Sequence, residues 1–146
     1  CFYTDVEFVI RGLSVTKDIG YLDKIIYKYR VARDEQRMSV AGFRKHYKEH
    51  LRMLYNMLEF EKNFSGNKNV KTVIRNRLKK VVMMQYNIFC LLEGNKEQKE
   101  ELMQFDRKIN QEYKEYYNVP MKKVLALRYS SFLLYRFICM LCYKKQ

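Results

Sequence analysis

Several groups of residues have types and spacings that could carry chemistry. Near the start, Phe2–Tyr3–Thr4–Asp5–Val6–Glu7–Phe8–Val9 places two acids two positions apart at the head of a helical pattern. Taken alone, such a pair suits helix capping, because the unpaired N–H groups of a first turn favour negative charge. His46, Glu49 and His50 in HYKEH match the H-x-x-E-H pattern of some zinc peptidases, with both imidazoles on one helix face. No third ligand is signalled, so the expectation there is no metal and a partly exposed helix surface. The segment YKYRVARDEQRMSV gathers Tyr27, Tyr29, Arg30, Arg33, Gln36 and Ser39. Basic stretches, Arg75–Lys80 and the aromatic-rich Tyr129–Arg136, have the composition of nucleic-acid contacts. No helix-turn-helix, RNP-like string or zinc knuckle accompanies them, so nucleic acid is not an expected partner. No glycine-rich phosphate loop and no persuasive Ser-His-Asp arrangement occurs. The four cysteines, Cys1, Cys90, Cys139 and Cys142, lack the paired C-x-x-C spacing of a structural zinc site and fit buried thiols in a reducing cytoplasm.

These residues need elements to hold them. Asp5–Leu13 reads as a short helix with Asp5 as its N-cap and Val6, Phe8–Val9 and Leu13 on one side. Lys17–Gly20 reads as a turn, and Tyr21–Val31 as a strand rich in Ile, Tyr and Val. One strand is not a sheet, so it needs partners from a missing N-terminal part or from pairing between chains in a homo-oligomer. A helix from Ser39 or Gly42 to about Lys62 carries the stripe Phe43, Tyr47, Leu51, Leu54 and Leu58. The next spans Val70–Glu93, with Val70, Val73, Ile74, Leu78, Val81, Val82, Ile88, Phe89 and Leu92 inward, closed by Gly94–Asn95. A third runs from Lys96 to about Tyr117, with Leu102, Phe105, Ile109, Tyr113 and Tyr116 inward, and Pro120 follows its end. Met121–Tyr143 reads as one last helix, apolar nearly all round.

Composition sets outer limits. The chain has 146 residues with 48% hydrophobic content, so it can bury a core and is not intrinsically disordered. One proline and five glycines are too few for an all-β sandwich. The net charge of +13 is uneven: residues 1–42 carry seven basic and six acidic side chains, and nearly all the excess lies beyond Gly42. The last stretch, residues 121–146, has six basic residues and no acid. Arg128 and Arg136 interrupt its apolar run, which argues against a spanning helix. A core helix of a bundle, partly facing an anionic membrane surface, is the expectation. No signal peptide is visible, and the chain opens in the middle of a pattern, as if cut from a longer protein.

The N-terminal part, with the helix after it, resembles the C-terminal region of family 2 glycosyltransferases, the inverting sugar-nucleotide enzymes of bacterial surface polysaccharide synthesis. In that family an acidic motif ending in Asp, with an aromatic three residues on, opens a helix after the donor-binding core. Thr4–Asp5 and Phe8 look like that element. Tyr27–Lys28–Tyr29–Arg30 looks like the strand end that follows. Ala32–Arg33–Asp34–Glu35–Gln36–Arg37–Met38–Ser39 looks like the polar loop ending in Ser, departing from it with Ala32 and Glu35 at glycine positions and Arg37 at the first serine. FRKHYKEHLRMLYNMLEF is similar to the succeeding helix, so the likeness covers residues 1 to about 60.

The resemblance implies a mainly α fragment. A helical bundle of about four long helices (residues 43–146) follows a short helix and strand left from the end of a GT-A α/β catalytic domain (residues 1–42). It implies Asp5 as the catalytic base toward an acceptor sugar hydroxyl, and Glu7 as a group orienting the helix start or the acceptor. Arg30, Arg33 and Gln36 would contact diphosphate or acceptor. The parent would use a nucleotide-sugar donor with a divalent cation (Mg or Mn) and a glycan or lipid-linked acceptor. It would work in the cytoplasm or peripherally at the inner face of the cell membrane. The family's nucleotide-binding sheet and its Asp-x-Asp are missing here, so the fragment alone is expected to be inactive. The alternative from another class is a non-enzymatic basic helical module binding nucleic acid or a partner protein, which a salt-dependent gel shift would reveal.

Overall fold

Long runs without proline, flanked by polar turns, become helices. The computed structural model describes residues 4–16, 18, 20–25, 27–28 and 40–143. Its elements are α1 (Thr4–Val15), α2 (Val40–Asn63), α3 (Lys68–Leu91), α4 (Lys96–Glu112), a 3-10 turn (Lys114–Tyr116), α5 (Lys122–Tyr129) and α6 (Tyr135–Tyr143). The fold is mainly α, and no strand occurs among the described residues. The expected strand over 21–31 is irregular and exposed where it is described, at 21–25 and 27–28. Tyr21, Leu22, Ile25 and Tyr27 all face solvent, and no sheet edge among the described residues pairs with them.

α2 and α3 form a helical hairpin across the short link 64–67, and their facing sides carry much of the core: Leu54, Met57, Leu58, Ile74, Leu78, Val82 and Phe89. Asn67 opens α3 by accepting a hydrogen bond from the Asn69 amide at 2.8 Å. α4 begins with a capping box in which Asn95 and Gln98 satisfy each other's backbone groups. Its Phe105 meets Tyr86 edge-on, with ring centres 4.9 Å apart, and Phe89 at 5.7 Å. α1 adds Ile10 to the same core and lays Arg11 over the Phe60 ring of α2.

The helix faces differ from the expected ones at several points. α2 kinks at His46, whose φ of −118° and ψ of 16° are not helical. Beyond the kink the buried side holds His50, Met53, Leu54, Met57, Leu58 and Glu61, while the expected Tyr47 and Leu51 are only half-buried. In α3, Val70 is half-buried and Val73 is 52% exposed, while Ile74 beside it is fully buried. In α1, Val6 and Ile10 turn inward while Phe8 and Val9 face solvent. The third helix ends at Glu112 and not near Tyr117; Tyr113 leaves helical geometry and both Tyr113 and Tyr116 stay buried through the 3-10 turn.

The largest correction is the last helix. It is two helices, α5 and α6, split at Ser130–Leu134. α5 closes with the two bonds of a Schellman motif: the Phe132 amide reaches the Leu127 carbonyl at 2.7 Å and the Ser131 amide reaches the Arg128 carbonyl at 3.1 Å. Ser131 and Phe132 have φ of 48° and 62°, a conformation costly for side chains of this kind. Anchors on both sides hold the bend. Arg128 is tied into the α3–α4 core, and the Tyr135 hydroxyl donates to the Phe89 carbonyl at 2.8 Å. α6 therefore folds back over the C-terminal end of α3. Gly94 allows that approach, with φ of 76° and a Cβ position that would lie 3.0 Å from the Arg136 Cα.

Candidate functional site

Asp5 lies in the first turn of α1, one residue inside the helix rather than at its cap, and its side chain is exposed. It opens on a cavity of about 190 Å³ that it shares with Val6 of α1, His50 of α2, and Arg77, Lys80, Val81 and Met84 of α3. Periodicity accounts for the α3 contribution. Arg77, Lys80 and Met84 recur at helical spacing, and Leu78 and Val81 fix the helix against α2, so the basic pair projects beside the head of α1. An acid on one helix thus lines the same cavity as two cations on another.

His50 forms the cavity's inner wall. It is 1% exposed, and its Nδ1 lies 2.6 Å from Gln85 Oε1. A carbonyl oxygen only accepts, so Nδ1 carries the proton and donates it. Burial pushes the imidazole below the usual histidine range, opposed in part by that hydrogen bond, so the ring is neutral near pH 7. His50 was expected on a partly exposed surface; it is buried against α3, where Gln85 accepts its hydrogen bond. His46 Nδ1 is 3.3 Å from Glu49 Oε1 on its own helix, so HYKEH does not converge on one point. No group of three or more His, Cys, Asp or Glu that could hold a metal occurs among the described residues. At the Asp5 cavity, one carboxylate and one imidazole beside two cations do not suit a divalent ion.

Of the other expected site residues, Glu7 is half-buried and paired with Arg11 one turn along α1, Arg11 Nε donating at 2.9 Å, and it does not line the cavity. Arg30, Arg33 and Gln36 lie outside the described residues. Arg77, Lys80 and His50 were not singled out for this site. Their signals were present in the sequence, as a basic run and a histidine pair, but nothing local linked either to Asp5. Comparison with protein-family models, curated proteins and solved structures finds no match to this chain.

Proposed function

We propose that the chain is the C-terminal part of an inverting family 2 glycosyltransferase that moves a sugar from a nucleotide-sugar donor to a glycan or lipid-linked acceptor. Residues 1–42 would close its GT-A catalytic domain, and residues 43–146 would form a helical bundle packed beside it. The observation that carries this proposal is Asp5, exposed at the head of α1 on a cavity that Arg77 and Lys80 of α3 also line.

Asp5 acts as general base. Its carboxylate takes the proton of an acceptor hydroxyl as that oxygen bonds to the anomeric carbon from the face opposite the nucleoside diphosphate. The bond to the diphosphate breaks with its electron pair, and the configuration inverts. Arg77 and Lys80, on the same cavity as Asp5, would stand on the acceptor's side of the reacting carbon and leave the departing diphosphate to the preceding domain. The cavity is far smaller than a site for a whole nucleotide sugar; at ~30 Å³ per water it matches only a few waters, enough for one reacting edge. The donor and its divalent cation would be held by the preceding domain, and the chain by itself would not turn over.

A further feature supports the remnant. Phe8, Val9, Val15, Tyr21, Leu22, Ile25 and Tyr27 are all more than half exposed, a density of large apolar groups that fits a surface covered by another part of the protein. The cytoplasm, or the inner face of its membrane, is the matching location. No helix among the described residues is long and apolar enough to cross a membrane.

The test is transfer by the full-length parent. Asp5→Asn is expected to abolish transfer while donor binding persists, and retained transfer overturns the base assignment. Sequence upstream of Cys1 should encode a βαβ nucleotide-binding domain with an Asp-x-Asp string.

A further inference from the structure

α6 is apolar on two opposite sides. Tyr135, Ile138, Cys139 and Cys142 are buried against the end of α3. On the other side, Phe137, Met140 and Leu141 share a face at i, i+3 and i+4, exposed by 52%, 49% and 44%, and Leu133 and Leu134 of the preceding bend extend it. A side chain buried on one face and a row of large apolar groups bare on the other is not a solvated helix surface.

The charged side chains beside this face are mostly basic: Arg136 lies on α6 next to it and Arg44 lines the adjoining groove, with Glu93 as the acid among the described lining residues. Next to the face, a groove of about 710 Å³ runs between α6 and the start of α2, with Arg44 and Arg136 at its rim against Glu93 and with Phe137, Met140 and Tyr143 along it. Arg44 is held in place by donating to the Leu91 carbonyl at 2.7 Å and by lying over the Tyr143 ring.

We propose that this face of α6, with the Arg44–Arg136 groove, docks on the surface of an anionic lipid bilayer. Apolar side chains beside guanidinium groups are what such a surface rewards, with depth for the first and lipid phosphates for the second. The helix is about 14 Å long at 1.5 Å per residue, so it lies along the interface and does not cross the ~30 Å hydrocarbon. Nucleic acid would engage the arginines but leave the apolar row uncovered.

Flotation of the chain with vesicles tests this. It should float with phosphatidylcholine vesicles containing roughly one-third phosphatidylglycerol, much less with phosphatidylcholine alone, and binding should weaken as salt rises. Leu133→Ser with Phe137→Ser should lower binding at least ~10-fold, as expected when two such side chains no longer enter the bilayer. Arg136→Gln should lower binding less and flatten its salt dependence. Absence of flotation with the anionic vesicles overturns the proposal, as does flotation indifferent to the double substitution. A concentration-dependent dimer that Phe137→Ser abolishes, without vesicle binding, assigns the face to a second copy instead. None of these outcomes bears on the Asp5 transfer assay, so the two proposals stand or fall apart.

Discussion

Arg128 of α5 and Asp106 of α4 form an ion pair at 2.8 Å in which both side chains are largely buried. Asp106 Oδ1 also accepts from the Tyr86 hydroxyl at 2.7 Å, and Arg128 donates to the Tyr117 carbonyl at 3.0 Å while lying over the Tyr117 ring. One guanidinium thus joins α3, α4, the turn after α4 and α5. Burial and the Asp106 charge together push the Tyr86 phenol well above its usual range, so it stays a donor throughout the working pH range.

Removing one member of this pair strands the other. Arg128→Ala should cost about 3–5 kcal/mol, the usual penalty for leaving a buried charge without its partner. Arg128→Ala with Asp106→Ala should cost less than the sum of the two single changes, because each already breaks the same contact. Urea unfolding of the four proteins in the cycle measures this, and strictly additive losses would count against a coupled network.

Gly94→Ala should destabilise the chain by about 1–3 kcal/mol. The backbone there has φ of 76°, and the new methyl group would meet the Arg136 Cα at 3.0 Å and the Cys139 Cβ at 3.2 Å. Neither neighbour is a flexible side-chain end, so α6 must shift. Thermal unfolding checks the size of the effect, and an unchanged midpoint would mean that α6 moves away freely.

His50 makes stability depend on pH. Its folded value is depressed below the unfolded value near 6.5, so the unfolded chain takes up a proton that the folded one resists. The contribution is complete above that value and is lost as pH falls from there toward the lowered folded value. The unfolding midpoint should therefore drop as pH falls below the unfolded value near 6.5, and drop less in His50→Gln. Equal pH dependence in both proteins would remove His50 as the source.

The thiols should be inert in the native state. Burial, reinforced by Cys139 and Cys142, pushes Cys90 up to about 12, and burial pushes Cys139 up to about 11. In a Cys1→Ser chain, a thiol-reactive chromophore should label slowly before unfolding and promptly after it. Prompt labelling at the outset would show that α6 lifts readily from α3.

Residue order alone determined the helices over α2, α3 and α4 to within a few positions, since apolar spacing and polar breaks such as Phe64–Asn69 are local properties. It also put a helix start at Asp5, though as the cap; the helix begins at Thr4 and Asp5 stands inside its first turn. Other features depended on contacts between residues far apart in the chain. No local pattern sets the rotation of α2 that buries His50 and Glu61, because it follows from what α3 presents opposite: Gln85 to one, Arg75 to the other. The bend at Ser131–Phe132 opposes the residues' own preferences and holds because Arg128 and Tyr135 are anchored on either side. The neighbourhood of Asp5 with Arg77 and Lys80 spans more than seventy positions, and packing of α1 on α3 alone creates it. Short-range periodicity specifies helices; which of their faces meet is decided by the burial and polar pairing available across the whole chain.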